Sequence, residues 1–578
     1  SLNKEQEIAV QKAHGPSIIL AGAGSGKTRV LIQKVLHLIQ KHNVKPYSII
    51  MITFTNKAAS EMKMRMGEVK LGFIGTFHSF CARVLRIDGE EMGIPRSFVI
   101  YDDSDQISLI KKLIKNLHAK FSPSYYLNRI SSAKNELISP SKYAEIFKDG
   151  TSQVTASIYQ KYQKELEKNH ALDFDDLIGK TIQLFTTKPQ VLEKYHRKYS
   201  HFLVDEFQDT NLSQYVLTRL LGQHSNNITI VGDFAQSIYS WRGANIENLN
   251  KFQKDFKNVQ VFHLERNYRS SQHILDFAFN IISQNTSHPI LHLRTENELG
   301  DEVTIYEAMD EQEEVLYVTN EIQKRMDESP EASSFAILYR TNVQSRLMEE
   351  ALLHNSISYV LIGGTRFYER KEVKDVLSYL RLVINPNDEL ARNRIQKLGK
   401  RKWALFEPKL NTLAKNYESK TTDSFIEQLF AQTGYLDMYS IDDPDDFARL
   451  ENLKELKSVA VQFPSLIEFL EQVALVESEY SENEKRKDQK DGVKLMTLHQ
   501  AKGLEFDCVF IIGVEDGILP HARSIDDRFA IEEERRLFYV GITRARKKLY
   551  ISYARRRFIF GSRGTAIRSR FLMQQNDW

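Results

Sequence analysis

The chain of 578 residues is long enough for roughly four domain-sized units at ~150 residues each. With 42% hydrophobic and 27% charged residues, 13 Pro and 26 Gly, its composition excludes wholesale disorder and fibrous repeats. Lys and Arg number 79 against 76 Asp and Glu, and a formal net charge of +3 excludes a histone-like polycation, so any polyanion site must be local. Two cysteines, Cys81 and Cys508, cannot build a disulfide framework or a four-ligand zinc site, and their apolar surroundings point to buried thiols in a reducing compartment. No apolar run approaches the ~18 residues of a membrane span and no signal-peptide core stands at the N-terminus. The expectation is a soluble cytoplasmic protein with no membrane role.

In chain order, an apolar run at 17–20 predicts a first buried strand, a glycine-rich turn follows, and 27–42 carry helical spacing through Val30, Leu31, Val35, Leu38 and Ile39. A second strand is predicted at 48–54. From 86 to 188 the pattern is helical and polar, before apolar runs at 202–204 and 228–231 return to the sheet pattern. A second α/β stretch is expected from about 245, with strands at 261–264, 303–306 and 335–339, resuming at 493–498, 508–513 and 549–553. Between its parts 369–490 is again mostly helical, closing on a charged run at 481–490 that reads as a solvated loop. The expected fold class is α/β: two sheet domains, 1–85 with 189–245 and 246–368 with 491–578, interrupted by helical insertions at 86–188 and 369–490.

Ala21-Gly-Ala-Gly-Ser-Gly-Lys-Thr28 lies between the first strand and its helix, the context a phosphate-binding loop requires, although the strict pattern has Gly where Ala21 stands. Glycines let backbone N–H groups turn inward, Lys27 reaches the β- and γ-oxygens, and Thr28 can ligate Mg²⁺ at the positive end of the helix. The run His201-Phe-Leu-Val-Asp-Glu206 places two acids at the carboxyl edge of the sheet, Asp205 to hold the metal and Glu206 to orient and deprotonate the attacking water. Gln236, after the strand at 228–231 and Asp233, is a neutral side chain able to sense the γ-phosphate or the water. Asn56-Lys57-Ala58 is followed by Ala59 and not by the Asp that reads guanine in a GTPase, and no Leu-Ser-Gly-Gly-Gln stretch marks a transporter-type ATPase. ATP is the expected nucleotide.

Further segments follow in a telling order: Leu2-Asn3 with Gln6, Thr53-Phe-Thr-Asn-Lys-Ala-Ala59, Gly75-Thr-Phe-His-Ser79 and Leu172-Asp-Phe-Asp-Asp-Leu177. After Asp205-Glu-Phe-Gln-Asp-Thr210 come Val231-Gly-Asp-Phe-Ala-Gln-Ser-Ile-Tyr-Ser-Trp-Arg-Gly-Ala244 and Asn267-Tyr-Arg-Ser270. The last are Leu495-Met-Thr-Leu-His-Gln-Ala-Lys-Gly-Leu-Glu-Phe506 and Tyr539-Val-Gly-Ile-Thr-Arg-Ala545. On these residues the chain resembles, over nearly its whole length, the superfamily 1 DNA helicases of the UvrD, PcrA and Rep group.

The resemblance implies two RecA-like motor domains, each with an inserted helical domain, and ATP between the motors. It implies a nucleotide set of Gln6, Gly24, Ser25, Gly26, Lys27, Thr28, Arg29, Tyr268 and Glu505. In that set Gln6 reads adenine, Tyr268 stacks on its ring and Glu505 lies near the ribose. Arg269 and Arg544, both assigned to the second motor, would meet the γ-phosphate, where a guanidinium fork stays charged and binds bidentately. The family positions for single-stranded DNA are Phe54, Phe174, Tyr239, Trp241 and Phe560 as stacking platforms, with His78, Arg242 and His521 as polar or phosphate contacts.

The activity implied is ATP- and Mg²⁺-dependent 3′-to-5′ translocation on single-stranded DNA with unwinding of 3′-tailed duplexes, in repair or replication-fork maintenance; self-association is left open. The alternative is a nucleotide-switched DNA-binding or protein-displacing factor with little strand separation of its own. A third reading, a P-loop enzyme unrelated to nucleic acid, runs against the aromatic set around Trp241. Three departures stand out. The family's Arg-Gly-Ile-Gly turn, part of a duplex-contacting region, is absent from the stretch spanning 385–388 and 394–402; the second insertion is short; and no long tail follows Ser569-Arg-Phe571, so no partner of such a tail is expected. The cluster Arg555-Arg-Arg557 suits either phosphate contact or an exposed basic strand end.

Overall fold

The computed structural model describes residues 2–12, 14–115, 117, 119–328, 334–485, 492–559 and 562–573. The chain divides into two compact units, one running to Leu275 and including Ile282–Glu298, the other comprising Asp276–Ile281 and the chain from Leu299 onward.

The first unit opens with helix α1 (Lys4–Gln11), strand β1 (Ser17–Ala21) and helix α2 (Lys27–His42). Strands β2 (Ile49–Thr53) and β3 (Phe73–Thr76) follow. After the helical region, which contains α3 (Pro123–Asn135) and α4 (Phe174–Thr187), come β4 (His201–Val204), helix α5 (Leu212–Gly222), β5 (Ile228–Gly232) and β6 (Gln260–Leu264). The six strands form one sheet in the order β3-β2-β4-β5-β1-β6, with every neighbouring pair parallel. Every residue of β1, β2, β4 and β5 is buried, as expected of parallel strands covered on both faces, whose sequences read as continuous apolar runs. Helix α2 lays Val30, Leu31, Val35 and Leu38 on the sheet and ends at Asn43, whose left-handed backbone (φ 53°) lets its N–H reach Leu38 O.

Two expectations are corrected here. The strand expected at 261–264 in the second α/β stretch pairs with β1 in the first sheet, Ser17 opposite Gln260. Apolar patterning identifies a strand without saying which sheet edge it joins. The stretch read as helical and polar, with no strong parallel-strand run, also contains a small parallel pair, Val99–Tyr101 with Ala171–Asp173. Around it the helices Asp103–Ile114, α3, Pro140–Ile146 and Gly150–Lys168 share a core of their own, built on Ile110, Tyr126, Ile130, Ile158, Tyr162 and Leu166. Helix α4 packs Leu177, Ile178, Leu184 and Phe185 into the core beneath the sheet instead.

The two cores are joined by a buried ion cluster. Lys134 of α3, 7% exposed, donates to Asp173 Oδ2 at 2.6 Å and to Asp176 Oδ1 at 2.9 Å, while Tyr162 donates to Asp173 at 2.9 Å. Asp173 and Asp176 form the capping box of α4, so the ammonium holds that helix start in place. Lys134→Met leaves two carboxylates buried without their cation and is expected to cost about 3–5 kcal/mol of unfolding free energy. Breaking the exposed Arg197–Glu193 pair with Arg197→Ala should cost under about 1 kcal/mol. Urea melts of both variants check this, and equal midpoints would contradict the assignment.

The second unit holds strands β7 (Thr304–Ala308), β8 (Phe335–Tyr339), β9 (Tyr359–Leu361), β10 (Val493–Thr497), β11 (Phe506–Ile511) and β12 (Ala545–Ala554). They form a parallel sheet in the order β7-β12-β11-β8-β10-β9. β9 is a three-residue edge strand, too short to show a periodicity in sequence. The helices from Lys371–Ile384 to Leu466–Lys485 have their own core around Val376, Leu380, Phe406, Phe425, Leu456 and Phe469. The last of these helices runs into the charged stretch expected as a loop, and residues 486–490 of that stretch lie outside the described residues.

Of the basic cluster at 555–557, Arg557 is half-buried between Glu314 and Glu515, at 2.7 Å from Glu515 Oε2, and Arg555 pairs with Glu307. Arg557 is therefore a structural cation and not a phosphate contact. Cys81 and Cys508 are free and buried, and burial pushes the Cys81 thiol up to about 12.

Candidate functional site

In the first unit the functional side chains gather at the carboxyl ends of β1, β4 and β5, which lie side by side in the sheet. After β1 the chain turns through Gly24 (φ +64°) and Gly26 (φ +83°), and α2 begins at Lys27 with no side chain capping its first amides. Left-handed positions point successive N–H groups to one side, making an anion nest at the positive end of a 16-residue helix. Ser25 Oγ is buried here without a hydrogen-bond partner. That orphaned hydroxyl, the uncapped amides and the Lys27 ammonium fit the phosphates of a nucleoside triphosphate. The oxygen donors of Thr28 and Asp205 suit a hard divalent cation.

Asp205 follows β4, is 2% exposed, and accepts the Glu206 N–H at 2.9 Å. Glu206 adopts a left-handed backbone (φ 51°), a strain on the order of 1–3 kcal/mol for a residue with a Cβ. Its carboxylate lies 3.6 Å from Lys27 Nζ. Gln208, fully buried, donates to Glu206 Oε2 at 2.5 Å, accepts the Asp233 N–H at 3.1 Å, and receives Ser237 Oγ on its backbone oxygen at 3.0 Å. Gln236 in turn donates to Asp233 Oδ2 at 2.6 Å. Lys27, Glu206, Gln208, Asp233 and Gln236 thus form one connected network.

Burial, reinforced by the Glu206 carboxylate, holds the Asp205 carboxyl well above the usual range, against the pull of Lys27. Burial likewise raises Asp233, and Lys27 and the Gln236 amide oppose it. Gln208 and Asp233 were not among the expected site residues. Their signal in sequence is slight: Gln208 is an amide two places beyond the acidic strand end, and Asp233 is one more acid after an apolar run.

A second layer joins the phosphate loop to Gln6 and Tyr268, the residues expected to receive the adenine. The Gln6 Nε2 donates to Ser25 O at 3.0 Å, and its Oε1 accepts the Asn3 N–H at 3.1 Å, closing the capping box of α1. An amide engaged once at each end keeps one further N–H and one lone pair. Lys34 of α2 fixes the far end of α1 by donating to Ala9 O and Lys12 O at 3.0 and 2.6 Å. Tyr268 is 45% exposed, receives Asn3 Nδ2 on its hydroxyl at 2.7 Å, and donates its own N–H to Gly24 O at 2.9 Å. Asn267, 1% exposed and also not expected, donates to Ala23 O at 2.6 Å and accepts the Arg269 and Ser270 N–H groups, both at 2.8 Å.

Arg269, assigned by the resemblance to the second motor, therefore belongs by its contacts to the first unit. A Cβ at Gly24 would stand 2.9 Å from both Arg269 Cβ and Asn267 Nδ2. Gly24→Ala is accordingly expected to abolish the rise in melting temperature on adding Mg-ATP. Gly67→Ala, at a similar φ of +62° but with open space around it, should retain that rise. Equal shifts in the two variants would contradict the cradle.

The expected strand contacts of this unit form two groups. Phe174, first residue of α4 and 44% exposed, meets His78 edge-on at 5.8 Å, and burial lowers the His78 imidazole. Phe54 packs edge-on against Phe77 at 5.9 Å, on the border of the core. In the second group Trp241 is 65% exposed and Tyr239 lies 6.3 Å from it, with the Arg242 guanidinium 4.5 Å from the indole. An indole exposed to that degree is no core residue.

In the second unit Arg544 is 1% exposed, its guanidinium donating to Val540 O, Leu504 O and Thr543 Oγ1 at 2.8, 3.2 and 3.0 Å. Glu505 pairs with Arg546. His521 donates its N–H to Glu534 Oε2 at 3.0 Å, and burial with the nearby Arg340 lowers its imidazole. Phe560 lies outside the described residues.

Residues 2–257 match the UvrD/REP helicase N-terminal domain, and residues 262–428 and 400–556 match the UvrD-like helicase C-terminal domain. Among curated proteins, the chain is similar to the ATP-dependent DNA helicase PcrA of Staphylococcus epidermidis, 41% identical over 99% of this chain and 86% of the relative. It is also similar to the protein of the same name from Staphylococcus aureus, at 40% identity and the same coverage. With both sheets and their helical insertions accounted for, the chain belongs to the UvrD/PcrA/Rep-like family of superfamily 1 helicases.

Proposed function

We propose that this protein is a DNA-dependent ATPase that moves 3′ to 5′ along single-stranded DNA and unwinds 3′-tailed duplexes, in repair or replication-fork maintenance. One observation carries the reading. The buried network from Lys27 through Glu206, Gln208 and Asp233 to Gln236 runs directly into the segment that exposes Trp241, so the nucleotide site and an aromatic platform share one short piece of chain.

ATP is the substrate, and Mg²⁺ held by Thr28 and Asp205 supplies charge neutralisation at its phosphate oxygens. The uncapped amides of α2 and Lys27 bind and orient the phosphates. Glu206 accepts the proton of the attacking water, and Gln208 fixes the carboxylate for that role through its 2.5 Å hydrogen bond. Gln236, held by Asp233, senses whether a γ-phosphate is present. Tyr268 and Gln6 receive the adenine. The roles given to Arg269, Arg544 and Glu505 follow their family positions; the Arg269 N–H is held by Asn267, whose amide in turn donates to Ala23 O of the phosphate loop. Domain boundaries are proposed to follow the sheets, with α4 counted with the first motor.

Glu206→Gln is expected to bind ATP as tightly as the parent while turnover falls roughly 10²–10⁴-fold. Equilibrium binding of a fluorescent ATP analogue beside steady-state turnover checks this, and a rate within a few-fold of the parent would remove Glu206 from the mechanism. Trp241→Ala should lose about 1–3 kcal/mol of affinity for a single-stranded oligonucleotide, read by fluorescence anisotropy. Unchanged affinity would show that the exposed indole serves no base.

The protein-displacing alternative is favoured by the basic stretch of the second insertion. There Arg394 is spent on Asp375 at 2.6 Å and Lys402 on the Gly434 carbonyl, which reduces the cations free for a duplex. Unwinding assays on 3′-tailed and 5′-tailed duplexes separate the two readings. The proposed helicase opens the first and not the second, and a displacing factor opens neither.

A further inference from the structure

Resting on the proposed DNA-dependent ATPase, we infer that Asn135, the last residue of α3 in the helical insertion, is a positioning residue that couples the nucleotide site to the strand-binding aromatics. Three pieces of chain meet at this side chain. Asn211 Nδ2 donates to Asn135 Oδ1 at 2.9 Å. Asn211 stands five residues beyond Glu206 and is the N-cap of α5, its own Oδ1 accepting the Gln214 N–H at 2.8 Å. Gly243 (φ +86°) closes the three-residue turn that carries Trp241 and Arg242, and a Cβ there would sit 3.5 Å from Asn211 Cβ and 3.6 Å from Asn135 Cβ. Asn245 donates its N–H to Thr210 O at 2.9 Å, and Asn248 Nδ2 donates to Thr210 O and Asn211 O at 2.9 and 3.1 Å, so the two segments are tied together.

On its other side the joint reaches the second platform. The residue before Asn135 is Lys134, whose ammonium holds Asp173 and Asp176 at the start of α4, where Phe174 is presented. A displacement of the segment after Glu206 is therefore passed along two short routes. One goes through Gly243 to Trp241, and the other through Asn135 and Lys134 to Phe174. Packed elements with discrete arrangements carry coupling in this way, and a shared hydrogen bond is a place to cut it. Asn135 is half-buried and lies outside the phosphate loop, the carboxylates and the platforms themselves.

The test compares the full-length parent with Asn135→Ala and Asn135→Asp, the second of which keeps the acceptor oxygen for Asn211. ATP turnover is measured with and without an oligo-dT strand, together with oligo-dT affinity and melting temperature. For Asn135→Ala the turnover without DNA and the affinity should stay within about twofold of the parent while the stimulation by DNA falls about fivefold or more. Asn135→Asp should restore the stimulation. The inference is overturned if Asn135→Ala keeps the parent's stimulation, if affinity falls in step with stimulation, or if Asn135→Asp is as defective as Asn135→Ala. A parent that is not stimulated by DNA at all overturns the underlying function as well, which distinguishes that failure from a failure of the joint.

Discussion

The first unit is organised around an imbalance of buried charge. Asp205, Glu206 and Asp233 converge at the carboxyl end of β4 and β5, and Lys27 is the cation whose influence reaches all three. Carboxylates taken out of water need compensation, and here burial raises Asp205 and Asp233 despite that ammonium. A divalent cation held by Thr28 and Asp205 would offset that charge, and a triphosphate would return negative charge at the amide nest of α2. Nucleotide binding and the chemistry that follows are two aspects of one electrostatic arrangement.

The strain at Glu206 belongs to the same arrangement. The left-handed glutamate has its N–H taken by Asp205 and its carboxylate held by Gln208 and Lys27. Gln208 binds Glu206, the Asp233 amide and the Ser237 hydroxyl together, so Glu206 is tied to the segment that leads to Trp241. The same economy appears in the second unit, where Arg557 between Glu314 and Glu515 fixes the end of β12, so that a cluster rich in arginine serves the fold.

Much of this was legible in the sequence because the relevant residues lie in short, local contexts. A buried strand followed by a glycine-rich turn and a helix announces the phosphate loop, and an apolar strand ending in two acids announces Asp205 and Glu206. The two sheets and their helical insertions were legible from apolar runs alternating with helical spacing. What escaped depends on contacts between distant segments. The pairing of β6 with β1, the place of Arg269 beside Gly24, and the bonds of Gln208, Asn267 and Asn135 join residues whose neighbours in sequence carry no trace of the partner. The pair Val99–Tyr101 with Ala171–Asp173 was missed for a related reason, since three-residue strands are too short to display a period.

We propose that filling the aromatic platforms with DNA changes the chemistry at the carboxylates. The steady-state ATPase rate of the 578-residue chain with Mg²⁺, measured before and after adding a saturating single-stranded oligonucleotide, decides this. The account requires a steep rise in turnover that follows occupancy of the strand site. An ATPase that runs at the same rate with and without the strand would contradict it.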